Sequence, residues 1–389
     1  MQVCIVLNRD LFEPWPFVRA MREVEFLRQI GREVAVVAWV KDESSQLPVR
    51  ETRDGIVVRR VKWTPPQRGF ARALAYRQIL DDLAREVVSA TPDAIICHDL
   101  EVLWAAVIAA RKRRVPLLYH VHEDWPVMVS ERSAIEARAF RQLERRLVKH
   151  VDHVYAVGPE LAEKYRAMGK PTTIQYGSKA LAAMPVLRSG EREGLRGAYG
   201  FAPGDVVVGL GSSLGAYEAV PELLDALTDL PETVKLFFVG GLPERVAETK
   251  AMVTAKDLDG RTHFTGTLPT PEYLRHLAAI DIGCVLRKPL SKNIVEAIPL
   301  KLFDYMGIGV PILVSDFPPL RRIAVDGGFG VAVDSSNPQS VREAISDLGG
   351  NPERRHSMAA AARASFERTY CWERQAEALM ASHPVFQGP

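Results

Sequence analysis

Only four cysteines occur in 389 residues, Cys4, Cys97, Cys284 and Cys371, far apart and with no C-x-x-C pair. That spacing excludes a disulfide scaffold and a cysteine-built zinc module, and three of the four sit inside apolar strand-like runs as small reduced core residues. No apolar run approaches the roughly 18 residues of a membrane span. The N-terminal stretch MQVCIVLNRD has no basic segment ahead of its short apolar run, so no signal peptide is expected and a cytoplasmic location is. Net charge is also nearly missing, at +2, which argues against nucleic acid as a partner. The local exceptions are Arg111-Lys112-Arg113-Arg114 and then Arg138, Arg141, Arg145, Arg146 and Lys149. They read as solvated helix faces, with peripheral contact to an anionic membrane as the alternative. Repeats at solenoid periods and low-complexity segments are absent as well.

What is present is alternation. QVCIVL is followed by the amphipathic FVRAMREVEFLRQIG, stopped by Gly31, and then by EVAVVAW; DAIICH, EVLWAAVIAARKR, PLLYHVH, a helical stretch over 131–149 and HVYAVG continue the order. The pattern thins between about 177 and 203 and restarts with VVVGLG, VKLFFVG, IGCVL, PILVS and GFGVAV. Strands that are apolar throughout belong to parallel sheets covered on both faces. The length suits two cores. The expectation is an α/β protein of two doubly wound Rossmann-like domains facing a central cleft, residues 1–177 and 178–365.

In this fold class ligands bind beyond the carboxyl ends of the strands. There, His98-Asp99 and His122-Glu123 follow two strands of the first domain, with His120 and Asp124 beside them. A metal, capped strand ends and a polar site for a hydroxylated or phosphorylated ligand are three readings of this patch. The last is preferred, because H-x-H-E at a strand end is not the helical H-E-x-x-H that sets ligand geometry. In the second domain Gly209, Gly211 and Gly215 resemble a dinucleotide fingerprint, but VKLFFVGGLP lacks the acid expected after the next strand. An NAD(P)-dependent enzyme is therefore the runner-up. Glycines that let backbone approach a phosphate explain the turn equally well.

The stretch EAIPLKLFDYMGIGVPILVSD, 296–316, places Glu296 on the loop before a helix that starts near Pro299 and Asp304 on its second turn, with Gly307 and Gly309 ending it. The start of that helix suits a diphosphate, with Ala297, Ile298 and Lys301 around it and a carboxylate on either side for sugar hydroxyls. The plainer alternative is a surface ion pair of Lys301 with Asp304, three residues apart.

KLFDYMGIGVPILVSDFPPLRRI is similar to the signature of glycosyltransferase family 4, retaining sugar-nucleotide enzymes of the GT-B fold. HDLEVLWAAVIAARKRRVPLLYHVHED resembles that family's H-D…H-E stretch, and FERTYCWERQAEAL its last helix, about 366–383, which returns to the first domain. The resemblance implies transfer of a sugar from a UDP- or GDP-linked donor to a hydroxyl acceptor on a glycan, glycolipid or small molecule, without a metal or other cofactor. It implies that His122 and Glu296 meet the sugar, that Asp304 holds the ribose, and that Lys301 and backbone N–H groups near Gly211, Ala297 and Ile298 meet the phosphates. His98, Asp99, Glu123 and Trp15 would lie on the acceptor side. The chain departs from the pattern in GSSLGAYEAV, which carries Glu218 where the family has an Arg and a Lys for the diphosphate. Arg287, Lys288 or Lys292 would then substitute. A degenerate scaffold that binds without catalysis follows from the same departure, and a GT-B epimerase or phosphorylase is a lesser alternative.

Overall fold

The structure, a computed structural model, describes residues 1–13, 17–64 and 70–388, the side chains of 70–74 excepted. Trp15 lies outside the described residues. The chain divides into two compact units, Met1–Tyr176 with Ala376–Pro389, and Gly177–Gln375.

The first unit runs β1 (Gln2–Leu7), α1 (Val18–Gln29), β2 (Glu33–Val40), β3 (Arg50–Arg53), β4 (Ile56–Lys62), α2 (Phe70–Ser89), β5 (Ala94–His98), α3 (Leu100–Arg113), β6 (Leu117–Val121), α4 (Trp125–Ser130), α5 (Ala134–Leu147), β7 (His153–Ala156), α6 (Pro159–Ala167) and β8 (Thr172–Ile174). The sheet order is β3-β4-β2-β1-β5-β6-β7-β8, parallel except where β3 pairs with β4. Its central strands are buried along their whole length, which is why they read as unbroken apolar runs. The helix expected over 131–149 is α5, continued by a 3-10 turn at Val148–His150, and Ser133 caps it by accepting from the Glu136 N–H at 3.2 Å; the separate short α4 ends before it at Ser130. β3 and β4 went unread because RETR, the edge strand, and IVVRRVK, its neighbour, are rich in charge.

The second unit runs α7 (Glu191–Ala198), β9 (Val206–Gly211), α8 (Val220–Thr228), β10 (Val234–Val239), α9 (Pro243–Ala255), β11 (Thr262–Phe264), α10 (Thr270–Leu277), β12 (Ile282–Val285), α11 (Lys292–Glu296), α12 (Leu300–Ile308), β13 (Ile312–Ser315), α13 (Pro318–Leu320), β14 (Gly330–Val333), α14 (Pro338–Gly350), α15 (Pro352–Ser365) and α16 (Trp372–Ser382). Its all-parallel sheet has the order β11-β10-β9-β12-β13-β14. The second half of α16 is counted in the first unit, where Tyr155 and Ser382 share a hydrogen bond of 2.7 Å and Phe386 packs on Phe26 and Tyr155. In each sheet the chain winds outward from one strand and then restarts on its other side. The switch points lie between β1 and β5 and between β9 and β12, where open α/β sheets bind their ligands.

Two expectations for 296–309 need correction. Glu296 is not on a loop but closes the short helix α11. Gly307 does not stop α12, which runs on to Ile308 and ends at Gly309 in the left-handed region (φ 81°). Gly307 serves packing instead, since a Cβ there would collide with Met184.

Candidate active site

At the switch point of the second unit, the segment after β9 folds back so that Glu218 bridges to Arg287, just beyond β12. Glu218 is 2% exposed. Its Oε1 accepts from Lys301 Nζ at 2.7 Å and from Ser212 Oγ at 2.8 Å, while its Oε2 is buried with no partner among the described residues. Arg287 is clamped through its backbone: its N–H donates to Ser315 Oγ at 2.7 Å, and its carbonyl accepts from Ser315 and Ser335. The guanidinium lies 5.1 Å from the Tyr217 ring centroid and donates to the Ala297 carbonyl at 3.3 Å, leaving Nε buried and unpartnered. Burial pulls its pKa down, against the opposing pull of Glu218. Lys288 pairs with Glu222 at 2.7 Å, and the exposed Lys292 with Glu296 at 3.5 Å.

The Lys301–Asp304 surface pair does not exist. α12 is buried from Lys301 through Gly307, so neither charge meets solvent and each takes a counterion from elsewhere: Glu218 for Lys301, Lys179 for Asp304. The expected backbone donors are partly spent. Gly211 N–H donates to Tyr305 Oη at 2.8 Å, and Ala297 N–H to the Asn293 carbonyl at 3.0 Å. Ile298 is buried behind them. Gly209 and Gly211 are not an open phosphate turn but the end of β9, where a Cβ on Gly211 would stand 2.5 Å from Tyr273 Oη.

In the first unit, His98 and Asp99 end β5 and His122 and Glu123 follow β6, and the parallel pairing of these strands brings the histidines together. His98 and His122 rings stack 5.1 Å apart, and His98 and His120 rings 4.9 Å apart. Glu23, from α1, completes the group and is buried with His98 and His120. These three place one ligand-type atom each within 4.8 Å of one another. Burial alone would raise the Glu23 carboxyl, but His120 and His98 outweigh it and bring it down to about 2. Burial lowers His98 against the pull of Glu23, and burial with the Arg19 guanidinium holds His122 well below the usual histidine range. Asp99 is pushed up to about 6 by burial. Its backbone, at φ 68° and ψ 156°, is in a region kept almost wholly for glycine. Such strain costs roughly 1–3 kcal/mol and collects at functional sites; here it lets Asp99 Oδ1 accept the His122 N–H at 3.2 Å. Glu123 is exposed.

Two profiles match the chain, the glycosyl transferase 4-like domain over 18–176 and glycosyl transferases group 1 over 191–365. The chain belongs to the group 1 glycosyltransferase family. Among curated relatives of this glycosyltransferase is the GDP-mannose-dependent alpha-(1-6)-phosphatidylinositol monomannoside mannosyltransferase of Mycolicibacterium smegmatis, 27% identical over 68% of this chain and 72% of that protein. Another is D-inositol 3-phosphate glycosyltransferase 1 of Catenulispora acidiphila, 24% identical over 81% of this chain and 78% of that protein. Among solved structures, Anabaena HepE in complex with UDP aligns with a TM-score of 0.74 at 18% identity, covering 98% of this chain and 100% of that one. Sucrose-phosphate synthase of Thermosynechococcus elongatus gives 0.75 at 15% identity, over 98% and 97%. These two likenesses speak to the fold, which is GT-B.

Sequence reasoning about this glycosyltransferase missed Glu23, Arg19, Lys179, Ser212 and Tyr305. Glu23 had a signal: with Ala20, Val24 and Leu27 it lies on the buried stripe of α1, where an acid without a partner would be costly. Lys179 and Ser212 had none, since their partners are 125 and 6 residues away on other elements.

Proposed function

We propose that this glycosyltransferase moves a sugar from a nucleoside diphosphate sugar, UDP- or GDP-linked, to a hydroxyl acceptor with retention at the anomeric carbon. The observation that carries this reading is the pair of cations at the second switch point: Arg287, with a buried and unpartnered Nε, and Lys301 at the start of α12. A helix start, with its free N–H groups and positive dipole end, favours an anion. The diphosphate would displace Glu218 from Lys301, and charge compensation would come from side chains, without a metal. Glu296, whose carboxylate pairs among the described residues with the exposed Lys292 at 3.5 Å, accepts from sugar hydroxyls. Asp304 reaches the ribose only by exchanging Lys179 for it. His122, Glu123, His98 and Asp99 serve the sugar and acceptor side.

In the reaction the bond from the anomeric carbon to the departing phosphate oxygen breaks, and the acceptor oxygen bonds to the same face. Its proton goes to the departing phosphate, so no enzyme nucleophile is needed. Fixed cations stabilise the charge that develops on the phosphate, and removing one such donor typically costs about 10²- to 10³-fold in rate.

An acceptor with an apolar part fits best. A cavity of about 820 Å³ in the first unit is lined by Tyr76, Trp104, Trp125, Phe140 and Leu143, with Arg77 and Arg132 among them. The exposed Arg138, Arg141, Arg145 and Arg146 of α5 would meet an anionic membrane from the cytoplasmic side. No helix among the described residues is long and apolar enough to cross a membrane.

The test is thermal unfolding with UDP, GDP, ADP, dTDP and NADP⁺. A ligand at 100 times its Kd adds about 2.7 kcal/mol. A shift with UDP or GDP supports the reading and names the donor class. No shift with any nucleotide would favour the binding scaffold suggested by Glu218.

A further inference from the structure

Four side chains of the first unit form one continuous line. Arg19 Nη1 lies 2.8 Å from His122 Nδ1, His122 Nε2 lies 2.9 Å from His98 Nδ1, and His98 Nε2 lies 2.9 Å from Glu23 Oε2. The direction of every link follows from one end. A guanidinium has donors and no acceptor, so His122 Nδ1 must accept. A neutral imidazole with Nδ1 unprotonated carries its proton on Nε2, which then donates to His98 Nδ1. The same step puts the His98 proton on Nε2, where the Glu23 carboxylate receives it.

This order also decides between two readings of Glu23, His98 and His120, whose spacing suits a metal. Ligation through His98 Nε2 would remove its proton while Nδ1 still accepts from His122, leaving an imidazolate. Reversing the middle link instead leaves His122 accepting at both nitrogens, which is the same problem one ring along. The group is a proton-ordered chain rather than a ligand set.

We propose that Glu23 is a positioning residue. Acting through His98, it fixes His122 as the tautomer with its proton on Nε2 and an unprotonated Nδ1, whose one lone pair passes from the Arg19 guanidinium to a hydroxyl of the bound sugar. The role in transfer rests on the function proposed above; the proton order does not. A carboxylate on the buried stripe of α1, 2% exposed and set 2.9 Å from His98 Nε2 and 3.2 Å from His120 Nε2, has no packing advantage over an apolar side chain of its size. Fixing a tautomer through a hydrogen bond on the far ring nitrogen is what such carboxylates do behind working histidines. Asp99, held in its strained backbone, fixes the main chain of the same histidine.

The experiment is a long-range ¹H–¹⁵N correlation spectrum of the full chain labelled at histidine, at neutral pH, with His122 assigned by loss of its signals in His122→Asn. The expected pattern for His122 is a protonated Nε2 and an unprotonated Nδ1. Glu23→Gln keeps the shape but can offer His98 either an oxygen or an N–H; because Arg19 still sets the order in the free protein, mixed tautomers at His98 and His122 are expected when Arg19→Met is added, whereas Arg19→Met alone should keep the wild-type pattern. Glu23→Gln by itself should lower kcat roughly 10- to 100-fold, by analogy with other residues that orient a working histidine, while leaving the KM for the donor and the melting temperature close to wild type. His122 protonated at Nδ1, the wild-type pattern in the Arg19→Met, Glu23→Gln double variant, or an unchanged kcat in Glu23→Gln would overturn the proposal. So would His98 and His120 signals that shift on stoichiometric zinc. If no donor supports transfer, the spectra still decide the proton order, so failure of the activity reading is seen separately.

Discussion

Replacing Glu218 by Gln should move nucleotide affinity and stability in opposite directions. In the unliganded protein the carboxylate accepts from Lys301 at 2.7 Å and from Ser212 at 2.8 Å. A phosphate held by Lys301 would stand roughly 5 Å from that carboxylate, where two unit charges at an effective dielectric of about 20 repel by about 3 kcal/mol. Solvent and counterions entering with the ligand take about half of this away, leaving about 1.5 kcal/mol, which is roughly a tenfold lower Kd for UDP or GDP. Stability runs the other way. Removing one member of a buried pair costs about 3–5 kcal/mol, but Gln still accepts from Lys301, so a loss of roughly 1–3 kcal/mol is expected. For a unit of this size that is a drop of several degrees in Tm. Titration calorimetry with both nucleotides, alongside thermal unfolding, reads the two effects. Weaker or unchanged nucleotide binding together with a lower Tm would refute the reasoning, since Glu218 would then be holding Lys301 in place for the donor rather than competing with it.

Arg287→Ala should cut kcat/KM about 10²- to 10³-fold, whereas Lys292→Ala, at an exposed pair with Glu296, should change it less than threefold; steady-state rates with the donor found by thermal shift compare them. Tyr305→Phe removes the buried hydroxyl that accepts the Gly211 N–H. It should cost about 1–3 kcal/mol by leaving that donor unsatisfied, read as a lower urea midpoint for the second unit. Acidification should destabilise the first unit. Burial depresses the folded-state pKa of His98 and His122, so their contribution is present above the unfolded value near 6.5 and lost as pH falls. Asp99, raised to about 6, works oppositely: its contribution is present below about 4 and lost as pH rises through 6. Denaturant melts at stepped pH should therefore show stability falling from pH 7 towards 6 and continuing to fall below 6, where the single Asp99 offsets only one of the two histidines. A rise in stability between 7 and 6 would contradict the assignment.

The parallel sheets were legible because burial on both faces turns a strand into an unbroken apolar run, and QVCIVL, DAIICH and PILVS have no other plausible use. The sites were legible only as addresses. That His98, Asp99, His122 and Glu123 share a sheet end follows from strand order, and the structure brings them together. Which partner each charge takes does not follow, because partner choice is made by tertiary packing. Lys301 and Asp304 show the error. Spacing of three residues makes them neighbours on a helix, which is all that the alternative of a surface ion pair rests on. The flanking IPL and VPILVS already argued otherwise, since a helix between two such segments has no solvated face to offer.

The same reasoning recovers Glu23. An acid on a helix is normally unremarked because most helices have a wet side, and α1 has one, with Glu25 and Arg28 exposed on it. Glu23 is three after Ala20 and four before Leu27, on the side that faces the sheet. A carboxylate there must be neutralised or paired, and the groups available to it are those at the ends of neighbouring strands. His98 at the end of β5 and His120 in β6 were already marked as polar residues in apolar company. The buried chain could therefore have been inferred as a requirement before its members were seen together: a charge on a core stripe implies a partner on the sheet it covers. The sequence does not carry the direction of the protons, which depends on Arg19 reaching the far nitrogen of His122, and that is a fact of geometry alone.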